Sequence, residues 1–262
     1  MKYTNQKVEQ IISLYNQGFN PTDIAIQLNT YNTTIRRILL RNGFKLENPS
    51  KAQAKVKKNY FSDLSCPKVQ YWLGYMCADG NIAKDPVNRI NIASNKDPEH
   101  LNKYIDFLDN TVPLKKYFNK KYEVWEYAVN FCNKEVKDYL ISLGITPAKS
   151  KTLKVNFPIT WDFFRGVFDG DGCVREINKK YIKTSISVEI ATASPHFLEQ
   201  IIKFLTKEDV YFAYRKNANT YIVTVCRAES VKKVYDLMYS DSSVSLNRKR
   251  ELFGSLLKKF NR

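Results

Sequence analysis

Two aspartates offer this chain's clearest chemistry. Asp79 stands next to last in YWLGYMCADG (71–80), and Asp171 next to last in FFRGVFDGDG (163–172). In each segment a glycine, Gly74 or Gly166, precedes the aspartate by five positions. A small residue, Ala78 or Gly170, stands four positions after that glycine. Positions i and i+4 share one helix face, so each segment reads as an apolar helix with a stripe almost bare of side chain. Two such helices can pack backbone to backbone, as small-xxx-small pairs do. That contact would bring Asp79 and Asp171 together, and two carboxylates held so close repel unless a divalent cation sits between them. One copy alone would read as a core helix followed by an Asp-Gly turn; two copies at matching spacing do not. Asp169 and Asp171 do not open a calcium loop of the EF-hand type, because Cys173 and Val174 occupy the places of a ligand and a glycine.

The remaining composition bounds the partners. Of 262 residues, 42 are Lys or Arg against 26 Asp or Glu, a net charge of +16. Such an excess favours a polyanion, although a ribosomal or membrane-surface protein would show it too. With 44% hydrophobic residues the chain can bury a core for one large domain and a small module. Cys66, Cys77, Cys132, Cys173 and Cys226 are odd in number and form no CxxC pair, which argues against zinc or a disulfide framework and for a reducing compartment. No run approaches the ~18 apolar residues of a membrane helix, and the first residues hold no apolar signal core. A soluble, intracellular protein is the expectation, in a bacterial or phage-infected cytoplasm or an organelle.

The elements that must position the aspartates follow from periodicity. Residues 1–45 read as three short helices, stopped at Gly18, restarted at Asn20-Pro21-Thr22, and closed by TTIRRILLRNG ending at Gly43. The pattern resembles a helix-turn-helix of the resolvase or transposase type. The resemblance makes the third helix the reader, with Asn32, Thr33, Thr34, Arg36, Arg37 and Arg41 reaching DNA. Residues 46–60 lose apolar periodicity and carry Lys51, Lys55, Lys57 and Lys58, a basic linker that either orders on DNA or is a solvated tether.

The rest is an internal repeat, expected at 61–155 and 156–262. Each half runs helix, two strands, helix, two strands, helix. RINIAS (89–94) and SISVEIATAS (185–194) follow the two motifs; DPEHLNKYIDFL and SPHFLEQIIKFL come next; each is followed by a basic hairpin and a closing helix. Ile186, Val188 and Ile190 alternate with Ser185, Ser187 and Glu189, and Ile90 and Ile92 with Arg89 and Asn91, so each strand buries one face and wets the other.

The motif pair and the repeat, about three quarters of the chain, resemble the LAGLIDADG homing endonucleases. In the first copy Cys77 replaces the motif's first Asp, which is not the family's metal ligand; both final aspartates are present. The resemblance implies an α+β fold of two pseudo-symmetric αββαββα repeats forming a DNA-binding saddle, a pseudo-dimer in one chain, and a monomer needing no protein partner. It implies hydrolysis of both strands of a long double-stranded DNA target, leaving short 3′ overhangs. Asp79 and Asp171 would hold Mg2+, replaceable by Mn2+ or Ca2+, with the carbonyls of Gly80 and Gly172 adding ligands. A basic residue on each hairpin would assist; the repeat alignment points to Lys121 and Lys216, with Lys120 and Arg215 beside them. Arg89, Asn91, Arg175, Lys183, Ser185, Ser187 and Glu189 fall on the reading faces. Lys149, Lys151, Arg248, Lys249 and Arg250 look like matching phosphate-contacting turns behind the active site. His100 and His196 are expected to be structural. Met1 and the Phe-Asn-Arg ending lack intein splice residues, so a free-standing or intron-encoded protein is the expectation. Two rivals share the scaffold: a non-catalytic transcription regulator, which tends to lose the motif carboxylates, and an RNA splicing maturase.

Overall fold

The computed structural model describes residues 4–46, 56–94, 96–119, 123–177 and 185–260. Two helices cross at its centre. Helix α4 (Pro67–Ala78) and helix α7 (Trp161–Asp171) each begin on a helix-start signal, Pro67 at the first turn and the Thr160 hydroxyl accepting from Phe163 N. Both bury nearly their whole length, from Val69 to Cys77 and from Phe163 to Asp169. The contact leaves no room for a side chain. A Cβ on Gly74 would strike the Phe163 carbonyl, with its carbon at 2.9 Å. One on Gly166 would strike the Tyr71 carbonyl oxygen and meet Tyr75 N at 2.8 Å. A Cβ on Gly170 would strike Ala78. All four small residues expected at the helix interface are therefore in it.

Each crossing helix starts a repeat. The first continues with β1 (Gly80–Ile82), β2 (Arg89–Ser94), α5 (Pro98–Phe107), β3 (Lys115–Asn119), β4 (Val124–Cys132) and α6 (Lys134–Ser142). The second continues with β5 (Cys173–Ile177), β6 (Ser185–Thr192), α8 (Pro195–Lys207), β7 (Ala213–Asn217), β8 (Thr220–Val225) and α9 (Ala228–Tyr239), then adds α10 (Asn247–Phe260). The sheets are antiparallel and identically ordered, β1-β2-β4-β3 and β5-β6-β8-β7. The fold is thus α+β, with the αββαββα unit twice.

Period-two burial fixes which face of each sheet meets the helices. Ile90 and Ile92 pair with Phe131 and Val129, and all four are buried. Val174, Val188, Ile190, Val223 and Val225 do the same in the second sheet. The opposite face stays open. On the first sheet it carries Asn81, Asn91 and Asn130 in one cross-strand row, because Asn91 pairs with both of the others. On the second it carries Arg175, Glu189 and Arg215, joined by ion pairs of 2.9 Å and 3.5 Å.

The N-terminal residues form α1 (Asn5–Asn16), α2 (Pro21–Gln27) and α3 (Asn32–Arg41) around a separate small core of Ile11, Ile24, Ala25, Ile35, Ile38 and Leu39. The Asn20 side chain accepts from Thr22 N and Asp23 N, capping α2. This unit packs on the back of the first sheet. Phe19 meets the Trp125 ring edge-on at 5.6 Å between centroids, and Asn20 Nδ2 donates to the Lys116 carbonyl at 3.2 Å. Trp125 shares its face with Val129 and Phe131, so the contact lies on the helix side of the sheet and leaves the open face clear. Chain and body rejoin at Val56, which is fully buried and whose carbonyl accepts from Asn133 Nδ2.

The crossing makes a direct prediction. Gly166→Ala forces backbone against backbone, so a denaturant titration should show a loss of about 3 kcal/mol or more. A loss below roughly 1 kcal/mol would mean that the helices separate easily.

Candidate active site

Asp79 caps the C-terminus of α4 and Asp171 ends α7. Neither is placed by its own side chain; the glycine crossing places both. Each opens into a separate cavity. The first, of about 420 Å³, is lined by Asp79 together with Tyr75, Ser94, Asp97, Glu126 and Arg248. The second, of about 270 Å³, is lined by Asp171 together with Cys77, Lys149, Thr192, Phe197 and Thr220.

Protein packed around the two carboxylates raises both pKa values above 3.8, and the Asp79 charge raises Asp171 further. Tyr75 offsets part of this by a hydrogen bond to Asp79. Lys249 and Lys149 act on both aspartates in the same direction. Burial in turn lowers the pKa of each lysine. The arrangement is therefore two carboxylates and two ammonium groups, one of each contributed by each repeat.

The lysines take places that the sequence alone did not show. Lys249 is buried, and its Nζ donates to the carbonyls of Phe168 (2.8 Å), Gly170 (3.0 Å) and Gly172 (2.6 Å). Lys149 Nζ donates to the carbonyl of Gly80. Lys249 caps the carbonyl end of α7, where a cation is favoured, and Lys149 holds the carbonyl of Gly80, the first residue of β1 just beyond α4, so both reach the aspartates. Next, the Gly80 and Gly172 carbonyls already face these ammonium groups. A divalent cation on the same oxygens would share them with a like charge. Finally, Lys216 pairs across the hairpin with Tyr221, on the buried face's side of the sheet, and rests over that ring at 5.7 Å. By the same pairing it shares a cross-strand row with Thr192, which lines the Asp171 cavity. Its counterpart is Lys116, which pairs with Tyr127 and lies 5.8 Å from that ring.

Other expected residues fall as follows. Lys55, Lys120, Lys121 and Lys183 lie outside the described residues, as does the side chain of Ser185. Arg89, Asn91, Arg175, Glu189 and Arg215 share the open sheet faces. Ser187 shares that face by parity but is buried, its hydroxyl donating to Glu189 at 3.2 Å, so it supports the glutamate and is no surface contact. On α3, Thr33, Arg36, Arg37 and Arg41 border one shallow hollow with Leu40. Asn32 is instead occupied with the α2–α3 turn, donating to the Thr22 hydroxyl at 2.5 Å. Lys57 and Lys151 are exposed, and Lys58 lies over the Tyr139 ring at 5.1 Å.

Asp169 forms the part that the sequence reading missed. It is 1% exposed, and it accepts from Tyr71 Oη (2.8 Å), Tyr239 Oη (2.7 Å) and Leu246 N (2.7 Å). The Tyr71 hydroxyl also touches His100 Nε2 at 2.9 Å. Burial holds the His100 pKa down to about 3, so the ring is neutral and structural. Asp169 thereby ties both motif helices to the segment that carries Arg248 and Lys249. The one available signal was its asymmetry: Cys77, buried and with its thiol pushed up to about 12, stands in its place in the first repeat.

A divalent cation suits this donor set. Among the described residues no three His, Cys, Asp or Glu side chains cluster closely enough to hold a metal by themselves. Two hard carboxylate oxygens that need further ligands from water or substrate match the habits of Mg2+.

The LAGLIDADG-like domain matches residues 161–239, most of the second repeat. None of the curated proteins matches the chain by sequence. Among solved structures, the homing endonuclease I-WcaI bound to its DNA recognition sequence is similar over 80% of this chain and 94% of its own, at 16% identity and a TM-score of 0.54. The meganuclease I-SmaMI bound to uncleaveable DNA covers 74% and 88%, at 12% identity and a TM-score of 0.52. The homing endonuclease I-GzeII in complex with its DNA target covers 75% and 90%, at 12% identity and a TM-score of 0.52. Among the described residues no helix is long and apolar enough to cross a membrane.

A stability prediction separates chemistry from folding here. Both folded-state pKa values are raised, so each carboxylate favours the fold below the ordinary value of 3.8 and loses that contribution as pH rises through its folded value. Asp79→Asn and Asp171→Asn should therefore melt no lower than the parent in metal-free buffer near neutral pH, and should flatten the decline between acid and neutral pH. A lower Tm in either variant would make that aspartate a structural residue.

Proposed function

We propose that this chain, whose fold is that of the LAGLIDADG homing endonucleases and whose second repeat carries a LAGLIDADG-like domain, is a site-specific endonuclease that hydrolyses both strands of a long DNA duplex and leaves short 3′ overhangs. One observation carries this reading: the glycine crossing presents one carboxylate from each repeat, with one lysine from each repeat bound to a motif glycine's carbonyl, Gly80 or Gly172, beside it. A regulator that used the scaffold only to bind would have no need of that constellation. The solved neighbours that share the fold are bound to DNA, and the net charge of +16 suits the same partner.

The residues divide the work. Asp79 and Asp171 would hold Mg2+, which supplies positive charge to offset the charge that builds on the scissile phosphate. Lys249 fixes the carbonyls at the end of α7 and Lys149 that of Gly80, and both favour the ionised form of the carboxylates. Their lowered pKa values also let Nζ exchange a proton near neutral pH more readily than a free lysine does. The open sheet faces would lie in successive major grooves. The Asn81–Asn91–Asn130 row suits adenine edges, and the Arg175–Glu189–Arg215 group suits guanine and cytosine edges. Such different faces read half-sites that need not match. Helices α1–α3 would extend the target, with Arg36, Arg37 and Arg41 on α3. Free-standing or intron-encoded mobility within a cell is part of the same proposal.

Selection of cleaved sites from a randomised duplex pool with Mg2+ tests the whole reading, and recovery of one long preferred site is the expected result. Asp79→Asn and Asp171→Asn should each abolish double-strand cutting. Lys149→Ala and Lys249→Ala should slow it by about tenfold or more, while Lys216→Ala should leave it within about twofold. Binding without cutting would favour the regulator. Removal of residues 1–46 should shorten the protected footprint and leave the cut position unchanged; an unchanged footprint would remove the target-extending role.

A further inference from the structure

We propose that Arg248 grips a backbone phosphate at the Asp79 centre only, so that one strand's cleavage depends on it and the other's does not. The inference rests on the endonuclease reading and adds an asymmetry to it. Arg248 Nε and Nη2 donate to Asp97 Oδ1 and Oδ2 at 3.1 Å and 2.9 Å, a two-pronged pair at the wall of the cavity that holds Asp79. The Arg248 side chain is 51% exposed, within reach of an incoming strand. A guanidinium offers phosphate the same fork of donors that it offers carboxylate. Asp97 stands at the N-cap position of α5 yet makes no side-chain bond to that helix. Its carboxylate is spent on Arg248, holding the fork oriented until phosphate takes its place.

The Asp171 centre has neither partner. Lys149 and Lys249 occupy matching places, so the residue matching Arg248 is Ala148. Pro98 and Pro195 both open the repeat's middle helix, so the residue matching Asp97 is Ser194. Ser194 is fully buried, and its hydroxyl accepts from Phe197 N and donates to the Leu153 carbonyl. Among the described residues, Asp171's cavity is accordingly lined by Thr192, Thr220 and Lys149, with no arginine. An exposed fork on one side only gives the two centres unequal grip on their phosphates.

Strand-resolved cleavage of a doubly end-labelled target under single-turnover conditions tests this. Arg248→Ala should slow one strand by about tenfold or more relative to the other, so that nicked duplex accumulates, and Arg248→Lys should restore only part of the rate. Equal slowing of both strands, or no change in either, would overturn the proposal. Phosphate-ethylation interference on bound DNA gives a readout that does not need cutting, and so keeps this inference separable from the endonuclease reading. Arg248→Ala should erase interference at one phosphate of one strand, with none lost at the symmetry-related position. Loss at both positions, or at neither, would overturn it. Matching melting curves for the variants and the parent exclude misfolding.

Discussion

At the centre of the molecule two peptide backbones meet with no side chain between them. Gly74 lies against the Phe163 carbonyl and Gly166 against the Tyr71 carbonyl, and neither site tolerates a Cβ. Every other feature of the site inherits its position from that contact. The helices are buried almost throughout, so their ends cannot drift, and each ends on an aspartate. The cost of assembling two carboxylates is met by geometry: dispersion and apolar burial along α4 and α7 hold a charge arrangement that the carboxylates alone would disperse. The lysines act at the same place. An ammonium group on helix-end carbonyls satisfies acceptors that the helix leaves open and lowers the local negative potential. Lys149 and Lys249 thus stabilise the helix ends and tune the carboxylates by a single set of contacts.

The sheets depend on the crossing in another sense. Strand β1 begins on its motif glycine, Gly80, and β5 directly after Gly172, so the sheets start where the helices end. Their identical strand order puts equivalent strands in equivalent places after the aspartates, and the open faces carry different side chains. That separates the duties: the helix pair carries what both halves share, and the sheets carry what distinguishes them. The N-terminal helices respect the division, since Phe19 and Asn20 meet the first sheet from behind and leave its reading face uncovered.

Much of this was legible in the sequence because it rests on periodicity and on glycine. The spacing of Gly74 to Asp79 and of Gly166 to Asp171 announced the crossing, and the alternation in 89–94 and 185–190 announced which strand faces are buried. What escaped was long-range. Lys216 sits in a basic hairpin, and only the pairing of Lys216 with Tyr221 shows that its side chain turns to the back of the sheet. Lys249 lies in a short polar stretch, NRKRE, that looks like solvated surface; it reaches Gly172 because Asp169 draws Leu246 N inward, an interaction that spans 77 positions. Charge placed by tertiary contact has no local signature, so a lysine's role could be read only as a type and not as a place.

Asp169 shows why the two halves could diverge without losing the shared centre. A buried carboxylate is unfavourable unless its oxygens are fully bonded, and here three donors from α4, α9 and the chain before α10 satisfy it. In the first repeat the same position is Cys77, buried and neutral, with no partner to recruit. One half therefore gained a polar anchor for its C-terminal segment and the other kept an apolar seat. The anchored segment is the one that carries Arg248 beside Lys249, so the asymmetry at the open cavities begins with a difference buried in the helix crossing.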